Sequence, residues 1–280
     1  MAYLPLRAVA LPEASERLYD AWLDDLDGRL SAPGADWHRI TRDVLFGLWY
    51  PGASDYDALV EDPATPPVAR ASLLALDPSN VTLEPEYYAD VDPERYARVK
   101  PLHWLWQSFD RTPLGGGNVH VGVRFRRILA RHLFARVGRN FKCFHFTEFS
   151  YGYNLEVGDD CVVHRHVLLD DRGGITLGDR VSISDYANIY SHTHSIVDQK
   201  DVTNARTVLE DDVRITYHAT VLAGVRVGRN AMVGAVAVAT KNVRPYHVNV
   251  GIPAKSIRIK PNAPPDAYVA ERVAQRHQEP

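Results

Sequence analysis

Cysteine is almost missing from this chain: Cys143 and Cys161 are the only two in 280 residues. Two thiols cannot make a disulfide framework, and both fall on positions of the repeat described below, so they are expected to be buried β-strand residues. Neither sign of charge dominates. Thirty-two Lys and Arg against 35 Asp and Glu leave a formal charge of −3, so no global basic field invites nucleic acid. No apolar run is long enough to cross a bilayer. The opening MAYLPLRAVALPEASERL makes a poor secretory signal, because Arg7 and two prolines interrupt the apolar run and Glu13 and Glu16 follow at once. A soluble cytoplasmic protein is the expectation. A hydrophobic fraction of 45% and a charged fraction of 24% are those of a globular chain, and its length suits one large or two modest domains.

What the chain has instead is a period of six. Leu209, Ile215, Val221, Val227, Val233 and Ala239 recur at that spacing. A second set of small or β-branched residues lies four places on: Val213, Ala219, Val225, Ala231, Ala237 and Val243. Six matches neither the helical period nor the two-residue strand period. It matches a short strand, a corner and the next strand, the hexapeptide repeat of a parallel β-helix. The opening residue of each hexad points inward and stacks on its counterpart one coil away. Small residues in the second set let the chain turn.

The sixes start at Val137. Val137, Cys143 and Phe149 open one coil, Val157, Val163 and Leu169 the next, and Leu177, Ile183 and Ile189 a third. Leu209, Ile215 and Val221 open a fourth, and Val227, Val233 and Ala239 a fifth. Between the first three coils the step is eight, so two residues are inserted at one corner each time, once at Asp171-Arg172-Gly173-Gly174. The fourth coil follows a long loop, Tyr190 to Arg206, carrying Ser191-His192-Thr193-His194-Ser195. Strands ~4.8 Å apart would give a prism on the order of 24 Å long. The fold class expected is mainly β: a parallel β-helix of about five coils behind an N-terminal α-helical region.

Three parts are therefore expected: a helical region over 1–136, the β-helix over 137–260 and a tail over 261–280. Helices are read at Ala14–Leu30, with Leu18, Trp22, Leu26 and Leu30 on one face, and at Trp37–Tyr50, Ser72–Leu76, 92–110, Val121–Phe134 and Asp266–Arg276. Trp104 and Trp106 are read as core rather than as an acceptor pocket. The basic residues of the helix before Val137 (Arg124, Arg126, Arg127, Arg131) are read as a solvated or packed face rather than an anion site.

The stretch from Tyr151 to Lys260 resembles the hexapeptide-repeat acetyltransferases of the maltose, galactoside and capsule-sugar O-acetyltransferase group. The matching residues are Tyr151-Gly152-Tyr153-Asn154, Leu177-Gly178-Asp179 and the loop Ile189-Tyr190-Ser191-His192-Thr193-His194. Val236-Ala237-Val238-Ala239-Thr240-Lys241-Asn242-Val243 and Gly251-Ile252-Pro253-Ala254-Lys255 complete the match. The resemblance implies a left-handed β-helix, a homotrimer with active sites shared between subunits, and acetyl-CoA as co-substrate with no metal. It places the general base at His194 and CoA near Ala219, Gly224, Ala237, Thr240, Lys241 and Lys255. Moving an acyl group from a thioester to a hydroxyl needs such a base, and imidazole suits it near neutral pH.

Two departures fall near the acceptor by the same resemblance. His164 stands where the group commonly has an asparagine, and Arg214 where it commonly has a tryptophan. With Asp171 and His192 they are the candidate acceptor contacts, and they point away from the usual neutral sugar. Asp170 and Asp171 are also candidates for orienting the base. The acceptor expected is a small molecule or sugar-like hydroxyl. Two rival readings remain open at this point. His164, His166, His192 and His194 invite a metal site of the gamma-carbonic-anhydrase type, although their spacing departs from that class. A trimeric scaffold without catalysis is the other.

Overall fold

The computed structural model describes residues 9–266. Its N-terminal part is helical: α1 (Glu13–Ser31), α2 (Trp37–Trp49), α3 (Tyr56–Glu61), α4 (Pro67–Leu74), α5 (Pro93–Phe109) and α6 (Val119–Leu133). Asp36, Asp55, Asp92 and Asn118 accept a backbone N–H at the starts of α2, α3, α5 and α6, each satisfying a group the helix leaves unpaired. Three details differ from the sequence reading. In α1 the buried face is Leu23, Leu26 and Leu30, and Leu18 is exposed. The helix expected at Ser72–Leu76 starts earlier, because Pro67 occupies its first turn. The helix at Tyr56–Glu61 was not anticipated. The helix expected at 266–276 lies outside the described residues from 267 on.

From Arg136 the chain winds into a parallel β-helix with three sheets. Residues that open successive coils pair in register. Val137 lies beside Val157, Val157 beside Leu177, Leu177 beside Leu209, and Leu209 beside Val227. Cys143, Val163, Ile183, Ile215 and Val233 run down the second sheet. Phe149, Leu169, Ile189, Val221 and Ala239 run down the third. Apart from Val137, these side chains are at most 4% exposed, so the inward face is a continuous apolar ladder. Five coils are complete. A sixth begins where Val243 bridges to Val227 and His247–Val250 pairs with Met232–Val233. An antiparallel strand, Lys255–Ile259, closes that sheet.

The first two corners are regular. One takes positive φ at Asn140, Asp160, Arg180, Asp212 and Asn230, the other at Phe146, His166, Tyr186, His218 and Val236. Gly158 and Gly178 show why Gly-Asp recurs beside the first corner. A Cβ at Gly158 would stand 2.6 Å from Asp179, and one at Gly178 2.5 Å from Asp211. Those carboxylates accept the N–H of Asp159 at 2.8 Å and of Asp179 at 3.0 Å, which binds each coil to the next. The third corner takes every insertion: Tyr151–Asn154, Asp171–Gly174, and the excursion between the third and fourth coils. That excursion is an antiparallel hairpin, His192–His194 against Val202–Asn204, where an irregular loop was expected.

The helices close the open end of the β-helix. A first coil has no neighbour on one side, so its backbone groups need other partners. Trp106 Nε1 donates to Thr147 O at 2.8 Å, Arg127 Nε to Phe141 O at 2.7 Å, and Arg126 to Cys143 O at 3.3 Å. Asp110 accepts from Phe146 N at 2.6 Å and pairs with Arg126. The basic residues of α6 are thus packed or paired within the chain, Arg124 with Asp20 and Arg131 with Asp27. Rings of His103, Trp106, Phe134 and Phe149 fill the space behind them.

Candidate active site

The hairpin stands on the third corner and carries both histidines of its motif. Ser191 anchors its base: its Oγ donates to Asp170 O at 2.5 Å and accepts from Gly173 N at 2.8 Å, and its carbonyl accepts from Ala205 N at 2.8 Å. His192 lies against Asp170, its Nδ1 bonded to a carboxylate oxygen. Ser150 Oγ donates to the other oxygen of Asp170 at 2.8 Å. His194 Nδ1 is 2.8 Å from Gln199 O. A carbonyl can only accept, so Nδ1 of His194 carries the proton and Nε2 offers its lone pair. The carboxylate of Asp170 selects the same tautomer in His192. The two rings lie 5.3 Å apart and nearly perpendicular. His192 is half-buried and His194 exposed, so the hairpin presents two imidazoles of the kind that accepts a proton through Nε2.

Asp171, next to Asp170, faces the opposite way. It is fully buried and accepts from Tyr151 N at 2.7 Å and Asn154 N at 3.2 Å. Burial pushes its carboxyl up to about 6 despite those donors. Its oxygens therefore hold the Tyr151–Asn154 corner. Arg214 lies on the second sheet, and His164 directly follows that sheet's strand Val162–Val163. His164 stacks on Phe144 at 5.1 Å, and burial lowers its pKa. Arg214 pairs along the backbone with Ser182 and Met232.

Of the candidate CoA contacts, Gly224, Thr240 and Lys241 lie on the third corner, in the coils after the hairpin. Gly224 has φ +75° and donates to Ala205 O at 3.1 Å, at the hairpin's exit. Thr240 and Lys241 are exposed. Ala219 and Ala237 are fully buried, with N–H and C=O both bonded inside the β-helix, so in this chain neither presents a surface to a ligand, against the expectation of a CoA contact. Lys255 is exposed at the start of the closing strand.

The histidines of the metal reading are dispersed. His166 belongs to a ring stack on the second corner, with Phe146 at 5.0 Å and Tyr186 at 4.7 Å, whereas His192 and His194 are on the third. Among the described residues no group of three or more His, Cys, Asp and Glu is placed to hold a metal ion. Burial pushes the Cys143 and Cys161 thiols up to about 12, so neither is a nucleophile near neutral pH.

One part of the site left no signal in the sequence. Asp90, in the segment before α5, accepts from Arg172 at 2.6 and 3.1 Å, from Asn204 Nδ2 at 2.8 Å and from Tyr151 Oη at 3.0 Å. The three partners lie 61 to 114 positions away, beyond any local pattern.

No protein-family model matches the chain. Over 140 residues it is 28% identical to the galactoside O-acetyltransferase of Escherichia coli K12, covering 49% of this chain and 69% of that one. Among solved structures, a maltose O-acetyltransferase from Clostridium difficile 630 superposes with a TM-score of 0.54 at 25% identity, covering 62% of this chain and 91% of the other. A galactoside acetyltransferase in complex with coenzyme A superposes with a TM-score of 0.51 at 24% identity, over 60% and 81%. Among the described residues no helix is long and apolar enough to cross a membrane.

Proposed function

We propose that this chain, a hexapeptide-repeat β-helix protein whose relatives are acetyltransferases, is an acyl-CoA-dependent O-acyltransferase, with acetyl-CoA as donor and a small-molecule or sugar-like hydroxyl as acceptor. The observation that carries this reading is the hairpin. It holds an imidazole with Nδ1 tied and Nε2 available, on the same edge as Gly224, Thr240 and Lys241. In the direct reaction, His194 Nε2 takes the hydroxyl proton as the acceptor oxygen attacks the thioester carbonyl. The tetrahedral intermediate collapses by breaking the C–S bond. The imidazolium then returns its proton to the departing thiolate. No acyl-enzyme is required. Neither cysteine is an activated thiol, and Ser191 Oγ is committed to Asp170 O and Gly173 N.

A second reading of the base is favoured by the Asp170 contact: His192 is held by a carboxylate, the arrangement that orients and stabilises an imidazolium. Release of free CoA thiol from acetyl-CoA, followed together with the acceptor's mass across a panel of hydroxyl compounds, tests the activity. Transfer dependent on the hairpin histidines is expected. Absence of CoA binding and turnover across the panel would leave the scaffold reading in its place.

Arg214 lies on the second sheet and His164 directly follows that sheet's strand Val162–Val163, whereas the hairpin stands on the third corner, so a site uniting them with it is expected to draw on a second copy. A homotrimer is expected by light scattering, and a monomer at micromolar concentration would count against the shared site. Lys241→Glu should weaken CoA binding, most at low salt, because a reversed charge repels the phosphates over a distance that salt screens. An unchanged affinity would remove Lys241 from the phosphate contacts.

A further inference from the structure

The three insertions at the third corner share one fastening that comes from outside the β-helix. Asp90 bonds to Tyr151 of the first insertion, to Arg172 of the second and to Asn204 of the hairpin. The Arg172 side chain is 7% exposed and that of Asp90 23%. Arg172 also lies over the Tyr88 ring, 4.3 Å from its centroid. Nearby, Asp92 N donates to Tyr153 Oη at 3.1 Å and Arg95 to Tyr153 O at 2.9 Å. The segment 88–95 therefore lies along the edge that carries the candidate base.

The register of the hairpin gives this contact its consequence. Asn204 is the residue directly across from His192. Fixing Asn204 fixes the strand against which His192 is laid, and Arg172 sits two residues beyond Asp170, the carboxylate that holds the His192 ring. Few other restraints reach the hairpin. Its tip from Ile196 to Asp201 is exposed, and its strands pair only with each other. A two-stranded hairpin is marginal in water on its own.

We propose that Asp90 is a positioning residue for the transferase site: the N-terminal helical region uses this one carboxylate to hold the hairpin, and with it His192 and His194, at a fixed angle to the β-helix. The kinetic part of this inference rests on the acyltransferase reading above; the structural part does not. Burial works against the charge on Asp90, yet the donors from Arg172, Asn204 and Tyr151 hold its carboxyl down to about 2. The clamp is therefore charged throughout the pH range in which an acyltransferase would work.

The test uses the full chain with Asp90→Asn and Asn204→Ala. Hydrogen exchange measured by mass spectrometry should quicken by about tenfold or more in the hairpin peptide over 191–206, with the strands around Ile183 and Ile215 unchanged. The kcat should fall roughly 10–100-fold, the effect of a misplaced catalytic group, with CoA affinity unaltered. Asn204→Ala removes only the hairpin's own donor, so it gives the same readings if Asp90→Asn does not fold. Unchanged hairpin exchange in both variants would overturn the clamp. Faster exchange with wild-type kcat would overturn the positioning role. If the wild type transfers no acyl group, the functional reading fails, and the exchange data still decide the clamp.

Discussion

Replacing His194 with Ala or Asn is expected to lower acyl transfer by about 10²–10⁴-fold, the usual worth of a positioned general base. Fold and assembly should survive, because the side chain lies outside the apolar ladder and its one hydrogen bond is to Gln199 O on the hairpin tip. CoA affinity should hardly change, since the imidazole acts on the acceptor hydroxyl and not on the phosphates. In the wild type kcat/KM should rise with pH through a single ionisation, because the base must be neutral to accept a proton. That limb should vanish in the variant. His192→Ala should cost less. The contact with Asp170 makes the comparison decisive: if His192→Ala abolishes turnover and His194→Ala does not, the carboxylate-held imidazole is the base. If neither variant matters, the transfer mechanism proposed for the hairpin is wrong.

The second large effect concerns stability. Asp110 and Arg126 form an ion pair with both side chains at most 3% exposed. Asp110→Ala should destabilise the chain by about 3–5 kcal/mol, because it leaves a buried guanidinium without its counter-charge. The N–H of Phe146 loses its acceptor in the same step. Arg126 already keeps Nε buried without a partner, and the 3.3 Å bond it keeps to Cys143 O is to a neutral carbonyl that cannot replace the counter-charge. Replacing both residues with apolar ones of similar size should recover much of the loss, since no orphaned charge remains. Urea unfolding would measure it. A single variant within about 0.5 kcal/mol of wild type, the range of ordinary surface changes, would show that the pair does not join the helices to the first coil.

The helical region thus acts on the β-helix in two places, at its open end through α5 and α6 and at its third edge through Asp90. The sequence discloses the positions of α1, α2 and α6 through their periodic apolar spacing and that of α5 through Pro93 and the packing residues that follow, but not what they cover. Arg126 illustrates the limit. The sequence reading groups it with Arg124, Arg127 and Arg131 as a solvated or packed face, yet two residues from Arg124 it projects on the other side of the helix, with Gly122, Leu129 and Leu133. Only the fold brings Asp110 and the unpaired carbonyl of Cys143 to it.

The β-helix is legible for a physical reason. Each hexad places one residue per sheet inward, and each inward residue meets the same position one coil away. A period of six in Val, Ile and Leu therefore specifies register as well as fold, and the pairs Val157–Leu177 and Ile183–Ile215 could be written from the sequence alone. The Gly-Asp pairs before the first corner belong to the same local rule. The hairpin does not. Its residues have no counterpart in the next coil, so no repeat states how they pair, and only the family resemblance ranks His194 above His192, two residues away. Their partners separate them: a carboxylate on the second coil for one, a carbonyl of the hairpin tip for the other. Asp90 is more remote still, reaching Asn204 across 114 positions. Repetition encodes contacts that recur at constant spacing; contacts made once, between a helical segment and a corner, exist only when the chain is folded.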